Sequence, residues 1–201
     1  DTINDLSEVY EPIKPTVYDY CDALITNVTG PVISESPDCE GAITYTWTYT
    51  DCSGKFSHDW TYTFTIDRID FTVPEDDTET ISCIADLYTP QNPSVNDAYG
   101  NPITDVTGPV ISENPVCEGD VTYVWTYTDC SGKFSHDWTY TFTIEREDFT
   151  MPQDDGITVA CAADIAAPAV PEVKDNCGNV LTASEPVISQ TPYCDCFITY
   201  T

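Results

Sequence analysis

The stretch WTYTDCSGKFSHDWTYTFTI runs from Trp47 to Ile66, and the same letters return from Trp125 to Ile144, an offset of 125 − 47 = 78 residues. In each copy, large apolar residues alternate with threonine on both sides of a short turn, Asp51–Ser57 in the first copy. Alternation with period two is typical of a β-strand with one buried face, and threonine and aromatic residues favour strands. The stretch therefore predicts a β-hairpin with an aromatic inner face and a threonine outer face.

Longer segments on both sides of the hairpin repeat with the same offset. TGPVISESPDCEG from Thr29 matches TGPVISENPVCEG from Thr107, and a looser copy, SEPVISQTPYCDC, begins at Ser184. FTVPEDDTETISCIAD from Phe71 matches FTMPQDDGITVACAAD from Phe149. Self-similarity at a fixed period is typical of a tandem array.

These matches place three repeats at residues 1–67, 71–145 and 149–201. The third stops before its last hairpin is complete, so we expect the 201 residues to be a window on a longer protein. Each repeat is small and can bury only a modest core. The ten cysteines recur at equivalent positions and are candidate disulfide staples, which predicts an oxidising, extracellular setting.

The charge balance excludes several kinds of partner. The net charge is −29, from 35 acidic and 6 basic residues. Nucleic acid and anionic membrane surfaces repel such a chain, so we expect no nucleic-acid binding. No stretch approaches the ~18–20 apolar residues of a membrane-spanning helix, so we expect no direct membrane insertion.

The remaining sequence predicts an all-β fold. Short strand-like runs such as Ile81–Ala85, Asp120–Thr128 and Asp137–Ile144 are separated by turns rich in proline and glycine, and no window shows a helical period. Strands at this spacing are typical of a sandwich of two antiparallel sheets. We predict tandem immunoglobulin-like β-sandwich modules arranged end to end.

The sequence predicts no active site. Ser57, His58 and Asp59 are the residue types of a hydrolase triad, but three neighbours on one strand point to alternating faces and cannot converge. A structural zinc site takes four histidine, cysteine or carboxylate ligands at characteristic spacings. The sequence has two histidines and no CxxC pair, which argues against such a site. We therefore predict that the chain is not an enzyme.

Three motifs carry a resemblance to a known family. They are VACAADIAAPAVPEVKDNCGN at Val159–Asn179, PVCEGDVTYVWTYTDCSG at Pro115–Gly132 and SHDWTYTFTI at Ser135–Ile144. In this order they resemble the HYR-like, immunoglobulin-type repeats of the giant surface adhesins of Bacteroidota, including gliding-motility adhesins. The resemblance implies a β-sandwich array, a place on the exterior of the bacterial outer membrane, and a role in adhesion or gliding.

On this resemblance we expect a stalk segment of a secreted adhesin. Its implied partners are an external surface or polysaccharide, reached through other parts of the protein, and the export and motility machinery of the cell surface. Two alternatives stay open. The repeats themselves bind a polysaccharide or another surface ligand, or they form the accessory region of a secreted enzyme.

The cysteine pattern has two gaps. Asp5 stands where Cys83 and Cys161 stand in the later repeats, and Tyr99 stands where Cys21 and Cys177 stand. The fold prediction does not depend on either position, but the disulfide scheme does.

Strand length limits the disulfide pairing. Cys39 and Cys52 flank a strand of about ten residues, whose ends lie roughly 30 Å apart, whereas a disulfide requires Cα atoms within about 7 Å. In an immunoglobulin-type sandwich the turn that holds Cys52 lies beside the turn that holds Cys21. The predicted pair at this end of the module is therefore Cys21–Cys52. At the opposite end of the module, the predicted pairs are Cys83–Cys117 and Cys161–Cys194. For Cys39 and Cys130, a bridge between repeats and free thiols both stay open. We expect the partner of Cys177 in a hairpin beyond Thr201, and Cys196 has no assigned partner.

Acidic residues near the repeat junctions are candidate calcium ligands, because hard cations take six to eight oxygen ligands. The alternative is that these carboxylates are solvated linker charges. The candidates at the first junction are Asp70, Asp76, Asp77, Asp97 and Asp129, and those at the second are Asp148, Asp154, Asp155 and Asp175.

Overall fold

The computed structural model describes residues 1–189 and 197–201. Its contacts divide the chain into two compact units, neither of which coincides with one repeat. The first comprises Asp1–Asp76, Gln91–Val110 and Val124–Thr139, and the second comprises Asp77–Pro90, Ile111–Tyr123 and Tyr140–Thr201. Within the described residues, no helix is both long enough and apolar enough to cross a membrane.

The first repeat forms one four-stranded sheet with the order β1-β4-β3-β2. Strands β3 and β4 are the predicted hairpin, paired antiparallel with Trp47 opposite Trp60, and β1 lies parallel to β4. On β3, the aromatic residues Tyr45, Trp47 and Tyr49 are buried while the threonines between them are not. The alternation in the sequence therefore correctly predicts the buried face. The strands are β1 Thr2–Ile3, β2 Asn27–Ile33, β3 Gly41–Thr50 and β4 Ser57–Ile66.

The second repeat forms an equivalent sheet with the order β5-β8-β7-β6, in which β5 lies parallel to β8. Two such sheets and no α-helix in the described residues confirm the all-β class of tandem β-sandwich modules. The predicted strand Ile81–Ala85 is wrong, because β5 ends at Ile81 and Ile84–Asp86 form a 3₁₀ turn. The strands are β5 Asp77–Ile81, β6 Asp105–Ile111, β7 Gly119–Thr128 and β8 Ser135–Ile144.

An irregular segment covers the buried face of the first sheet. Leu6, Val9, Val17 and Ile25 pack against the aromatic cluster of β3 and β4. The hydroxyl of Tyr49 donates a hydrogen bond to the Pro15 carbonyl at 2.6 Å, which ties this segment to the sheet. Proline cannot donate to a strand ladder, so the proline-containing second layer folds without the extended sheet that the sequence predicted for it.

Gly30 allows β2 to approach β3 closely. The pairing of the two strands shifts register between Thr29 and Val32, and Gly30 adopts a φ of +111° there. A Cβ atom at this position would lie 2.6 Å from the Thr46 carbonyl oxygen. Only glycine fits both the backbone conformation and the contact.

Candidate functional site at the repeat junctions

A disulfide crosses the first junction, which is the region where the first repeat meets the second. Cys39 precedes β3 and Cys130 lies in the turn between β7 and β8, and their Cα atoms are 5.8 Å apart. This distance is ordinary for a disulfide. The hairpin turn of the second repeat is therefore covalently attached to the first repeat.

Lys133 of the same turn contacts two carboxylates of the first repeat. Its Nζ lies 2.8 Å from Glu40 and 2.6 Å from Asp67. The hydrogen bond from Lys133 lowers the pKa of Asp67, and the two carboxylates raise the pKa of Lys133. Glu40 also accepts a hydrogen bond from the backbone N–H of Arg68 at 2.9 Å. These exposed contacts orient the turn but contribute modestly to stability, since water screens them.

Arg68 lies between carboxylates of both repeats. Its guanidinium forms an ion pair with Asp5 of the first repeat and lies 3.6 Å from Asp97 of the second. Asp5 is buried, and the hydrogen bonds from Ser7, together with the charge of Arg68, hold its pKa below the ordinary value. Asn101 donates to the same Asp5 carboxylate at 3.4 Å. A cleft of about 370 Å³ is lined in part by Asp5, Arg68, Asp97 and Asn101.

The linker after the first repeat forms hydrogen bonds with β8. The His136 ring nitrogen lies 2.7 Å from the Asp70 carboxylate, and the ring contacts Phe71 edge-on with centroids 4.9 Å apart. The contact with His136 lowers the pKa of Asp70. The backbone N–H of Thr139 donates to Asp76 at 2.8 Å. Asp70 and Asp76 therefore already accept hydrogen bonds from protein donors.

The other calcium candidates at the first junction also have protein partners. Asp129 is buried, which opposes its ionisation, but the hydrogen bonds from Ser131 and the turn backbone hold its pKa below the ordinary value. Asp97 accepts the backbone N–H groups of Tyr99 and Asn101 at 2.9 and 2.8 Å. Asp77 accepts a hydrogen bond from the N–H of the next residue.

The second compact unit contains the second junction. Cys83 is bonded to Cys177 of the third repeat, with Cα atoms 5.6 Å apart. Arg146 lies 3.1 Å from Asp175, and its backbone N–H donates to Glu118 at 3.0 Å. The hydrogen bond from Asn179 lowers the pKa of Asp175. Two of the remaining candidates, Asp148 and Asp155, accept from the N–H of the following residue, and Asp154 is exposed.

Among the described residues, no three carboxylate, histidine or cysteine side chains converge on one point. Calcium binding at these positions stays a prediction. In the first junction the positive charge between Asp5 and Asp97 comes from Arg68.

The structure corrects the predicted Cys83–Cys117 pair, since Cys83 bonds Cys177 and Cys117 is a free, exposed thiol. Cys83 follows β5 and Cys117 precedes β7, with β8 between these strands. Two interstrand spacings are about 9–10 Å, which exceeds the reach of a disulfide of about 7 Å.

The structure also leaves the predicted Cys21–Cys52 pair unbonded, with both thiols free and exposed. Their counterparts in the second repeat, Tyr99 and Cys130, show why. Tyr99 hydrogen-bonds Glu8, whereas Cys130 bonds Cys39, so the two turns meet different parts of the preceding repeat. In the third predicted pair Cys161 is exposed, and Cys194, like Cys196, lies outside the described residues.

Ser57 and Asp59 of the Ser57-His58-Asp59 motif form hydrogen bonds within the sheet. Ser57 hydrogen-bonds Thr50 at 2.9 Å, and Asp59 accepts from Thr48 at 2.6 Å. Both partners lie on the neighbouring strand, as cross-strand pairs do. His58 is exposed.

The match to a family model agrees with this architecture. The model of the HYR-like domain with 4 cysteines matches residues 1–66, 71–144 and 149–201. The chain belongs to this family. No curated protein matches the sequence.

HYR-like repeats of this kind are extracellular, adhesion-type repeats, and they are structural rather than enzymatic. Four cysteine positions per repeat agree with the pattern here, in which Asp5 and Tyr99 occupy two of the positions.

Sequence reasoning did not identify the junction roles of the basic residues. Arg68 and Arg146 are equivalent, since 146 − 68 = 78, and each contacts an aspartate of the following repeat. Lys133 also lies at a junction. The signal was present, because half of the 6 basic residues of this acidic chain are these three.

Proposed function

We propose that the chain is a stalk segment of a secreted bacterial cell-surface adhesin, which serves surface attachment and gliding and which holds a binding region away from the outer membrane. The observation that carries the proposal is the Cys39–Cys130 disulfide between two repeats. In addition to the backbone, this disulfide keeps the junction closed under a tension that hydrogen bonds alone would not withstand. The family of extracellular adhesion-type repeats supports the same role.

Ligand binding by the repeats themselves is the competing function. Tyr10, Tyr18 and Tyr88 are about half exposed, and Tyr20 is fully exposed. Two of these are engaged within the chain, since the Tyr10 hydroxyl lies 3.2 Å from that of Tyr62 and Tyr88 donates to Glu79 at 2.6 Å.

A replacement experiment separates the two functions. In the native host, the repeats are exchanged for unrelated extracellular modules of equal total length, and attachment and gliding are measured. A stalk predicts that the exchange preserves attachment while deletion of the repeats reduces it. Loss of attachment after the exchange, together with polysaccharide binding by the purified chain, would assign the binding role to the repeats.

A further inference from the structure

Two of the free thiols are counterparts of the cysteines that cross the first junction. Cys117 corresponds to Cys39, since 117 − 39 = 78, and Cys52 corresponds to Cys130, since 130 − 52 = 78. Both Cys52 and Cys117 are exposed. Each has the position of a bonded cysteine, but the repeat copy that would supply its partner is not in the described structure.

The other two free thiols correspond to the disulfide of the second unit. Cys161 is the counterpart of Cys83, since 161 − 83 = 78. Cys21 is two periods before Cys177, since 177 − 21 = 156. Both Cys21 and Cys161 are exposed. Among the residues that the structure describes, the four free thiols therefore include one representative of each bonded position.

The two gaps in the cysteine pattern fall on the partners of one bridge. Asp5 and Tyr99 are the counterparts of Cys83 and Cys177, which are bonded to each other. In the first unit the turn of Tyr99 packs on the segment after β1, where Tyr99 hydrogen-bonds Glu8 and Asn101 contacts Asp5. Both cysteines of this bridge are therefore replaced at the same junction, where the other disulfide, Cys39–Cys130, is kept.

The charged groups around the free thiols repeat the contacts of the first junction. Lys55 is the counterpart of Lys133 and is exposed in the turn of Cys52. Glu118, the counterpart of Glu40, directly follows Cys117, and Glu145, the counterpart of Asp67, directly follows β8. Lys55, in the turn of Cys52, and Glu118, beside Cys117, therefore carry opposite charges, as Lys133 and Glu40 do at the first junction.

We propose that Cys21, Cys52, Cys117 and Cys161 are attachment sites for neighbouring copies of this repeat, so that two disulfides cross each complete junction. The cysteine after the first strand bonds the turn before the second strand of the next copy, as Cys83 bonds Cys177. The cysteine before the third strand bonds the hairpin turn of the next copy, as Cys39 bonds Cys130. No repeat in this scheme contains an internal disulfide.

The bond-forming step requires a disulfide oxidant, for which oxidised glutathione serves in vitro. The thiolate of one repeat attacks a glutathione disulfide, releases one glutathione thiol and forms a mixed disulfide. The thiolate of the neighbouring copy then displaces the second glutathione. One protein disulfide forms, one glutathione disulfide is reduced, and the two protein protons end on the two glutathione thiols.

An extended chain tests the proposal directly. A copy of residues 79–156 is placed before Asp1, which keeps the repeat in register because 79 − 1 = 78. After refolding with oxidised glutathione, peptides are mapped without reduction. We expect Cys21 to be linked to the added counterpart of Cys83, and Cys52 to the added counterpart of Cys117. A serine at that counterpart of Cys117 should leave Cys52 open to alkylation and Cys21 still bonded.

Other outcomes of the mapping would overturn the proposal. A Cys21–Cys52 peptide would place the disulfide inside one repeat, and full alkylation of both thiols in a folded extended chain would remove the attachment role. The result does not depend on the adhesin function, since the thiols pair or fail to pair whatever the cell does with the protein.

A double variant tests the same rule in the chain as it stands. Asp5→Cys and Tyr99→Cys together place cysteines at both ends of the missing bridge. We expect the oxidised double variant to contain as many free thiols as the parent chain, while each single variant contains one more. Two additional thiols in the folded double variant would show that these positions do not pair.

Discussion

Cys39 is bonded to Cys130 across 91 residues of sequence, so the disulfide joins two copies of the repeat instead of closing one. The strand Gly41–Thr50 separates Cys39 from the hairpin turn of its own repeat. Cys39 instead bonds Cys130, which lies in the hairpin turn of the following repeat. The disulfide thereby cross-links the two repeats within the first compact unit.

Breaking this bridge should lower stability strongly. A closed loop of this length restricts the unfolded chain by on the order of 4 kcal/mol in the chain-entropy account. We expect Cys39→Ser to lower the melting temperature, and Cys130→Ser to lower it by the same amount. Cys117→Ser, which removes an exposed free thiol, is the matched control and should leave the melting temperature unchanged. Equal melting temperatures for all three variants would show that the bridge does not stabilise the fold.

Replacement of the buried phenylalanine in either sheet should lower the free energy of unfolding by a similar amount. Phe64 and Phe142 are repeat counterparts, and each is 0% exposed. Replacing either with alanine should cost about 3–5 kcal/mol in the free energy of unfolding, because a cavity replaces the ring. Chemical denaturation gives the measurement, and Phe56→Ala, at a ring that is 66% exposed, is the control. A cost below about 1 kcal/mol at Phe64 would contradict the assigned core.

Gly30→Ala should destabilise the edge of the first sheet. The added methyl group meets the Thr46 carbonyl at 2.6 Å, and the φ of +111° disfavours any L side chain. We expect a loss of about 1–3 kcal/mol, and the same from Gly108→Ala, whose geometry is equivalent. Gly156→Ala, where a Cβ meets nothing within 4 Å, should be neutral. An unchanged free energy of unfolding for Gly30→Ala would argue against the close approach of β2 to β3.

Acid should weaken the junctions. The pKa values of Asp5, Asp67, Asp70 and Asp129 are lowered in the folded state. A lowered pKa contributes stability that is complete above the unfolded value of about 3.9 and is lost as the pH falls toward the folded value. We expect the melting temperature to fall as the pH drops below about 4, and to fall less steeply in Asp5→Asn. A variant with the slope of the parent chain would show that Asp5 does not contribute.

The calcium prediction is tested by calorimetry and thermal melting. Bound calcium at the junctions should give a binding heat and a melting temperature that chelator lowers. Asp97→Asn removes a candidate ligand that also lies 3.6 Å from Arg68, so this variant should lose the heat. No binding heat and no effect of chelator would contradict calcium binding. The charges of Asp5 and Asp97 would then be balanced by Arg68 without calcium.

The hairpins were predictable because their information is local. Alternating residues such as Trp47, Thr48 and Tyr49 specify a strand and its buried face within a few positions, and the structure buries those aromatic rings. The exact repeat of 78 residues extended the prediction to the second sheet. The cross-strand hydrogen bonds of Ser57 and Asp59 also agree with the alternating faces expected of this strand.

The sequence by itself therefore determined the all-β class, the repeat period and the inner face of each hairpin. Only the tertiary structure decided what covers that face and which cysteines meet. The layer from Leu6 to Ile25 packs through irregular backbone, for which no periodic pattern exists. Cys83 reaches Cys177 because the ends of two repeats come together in space, and sequence spacing within one repeat carries no information about that contact.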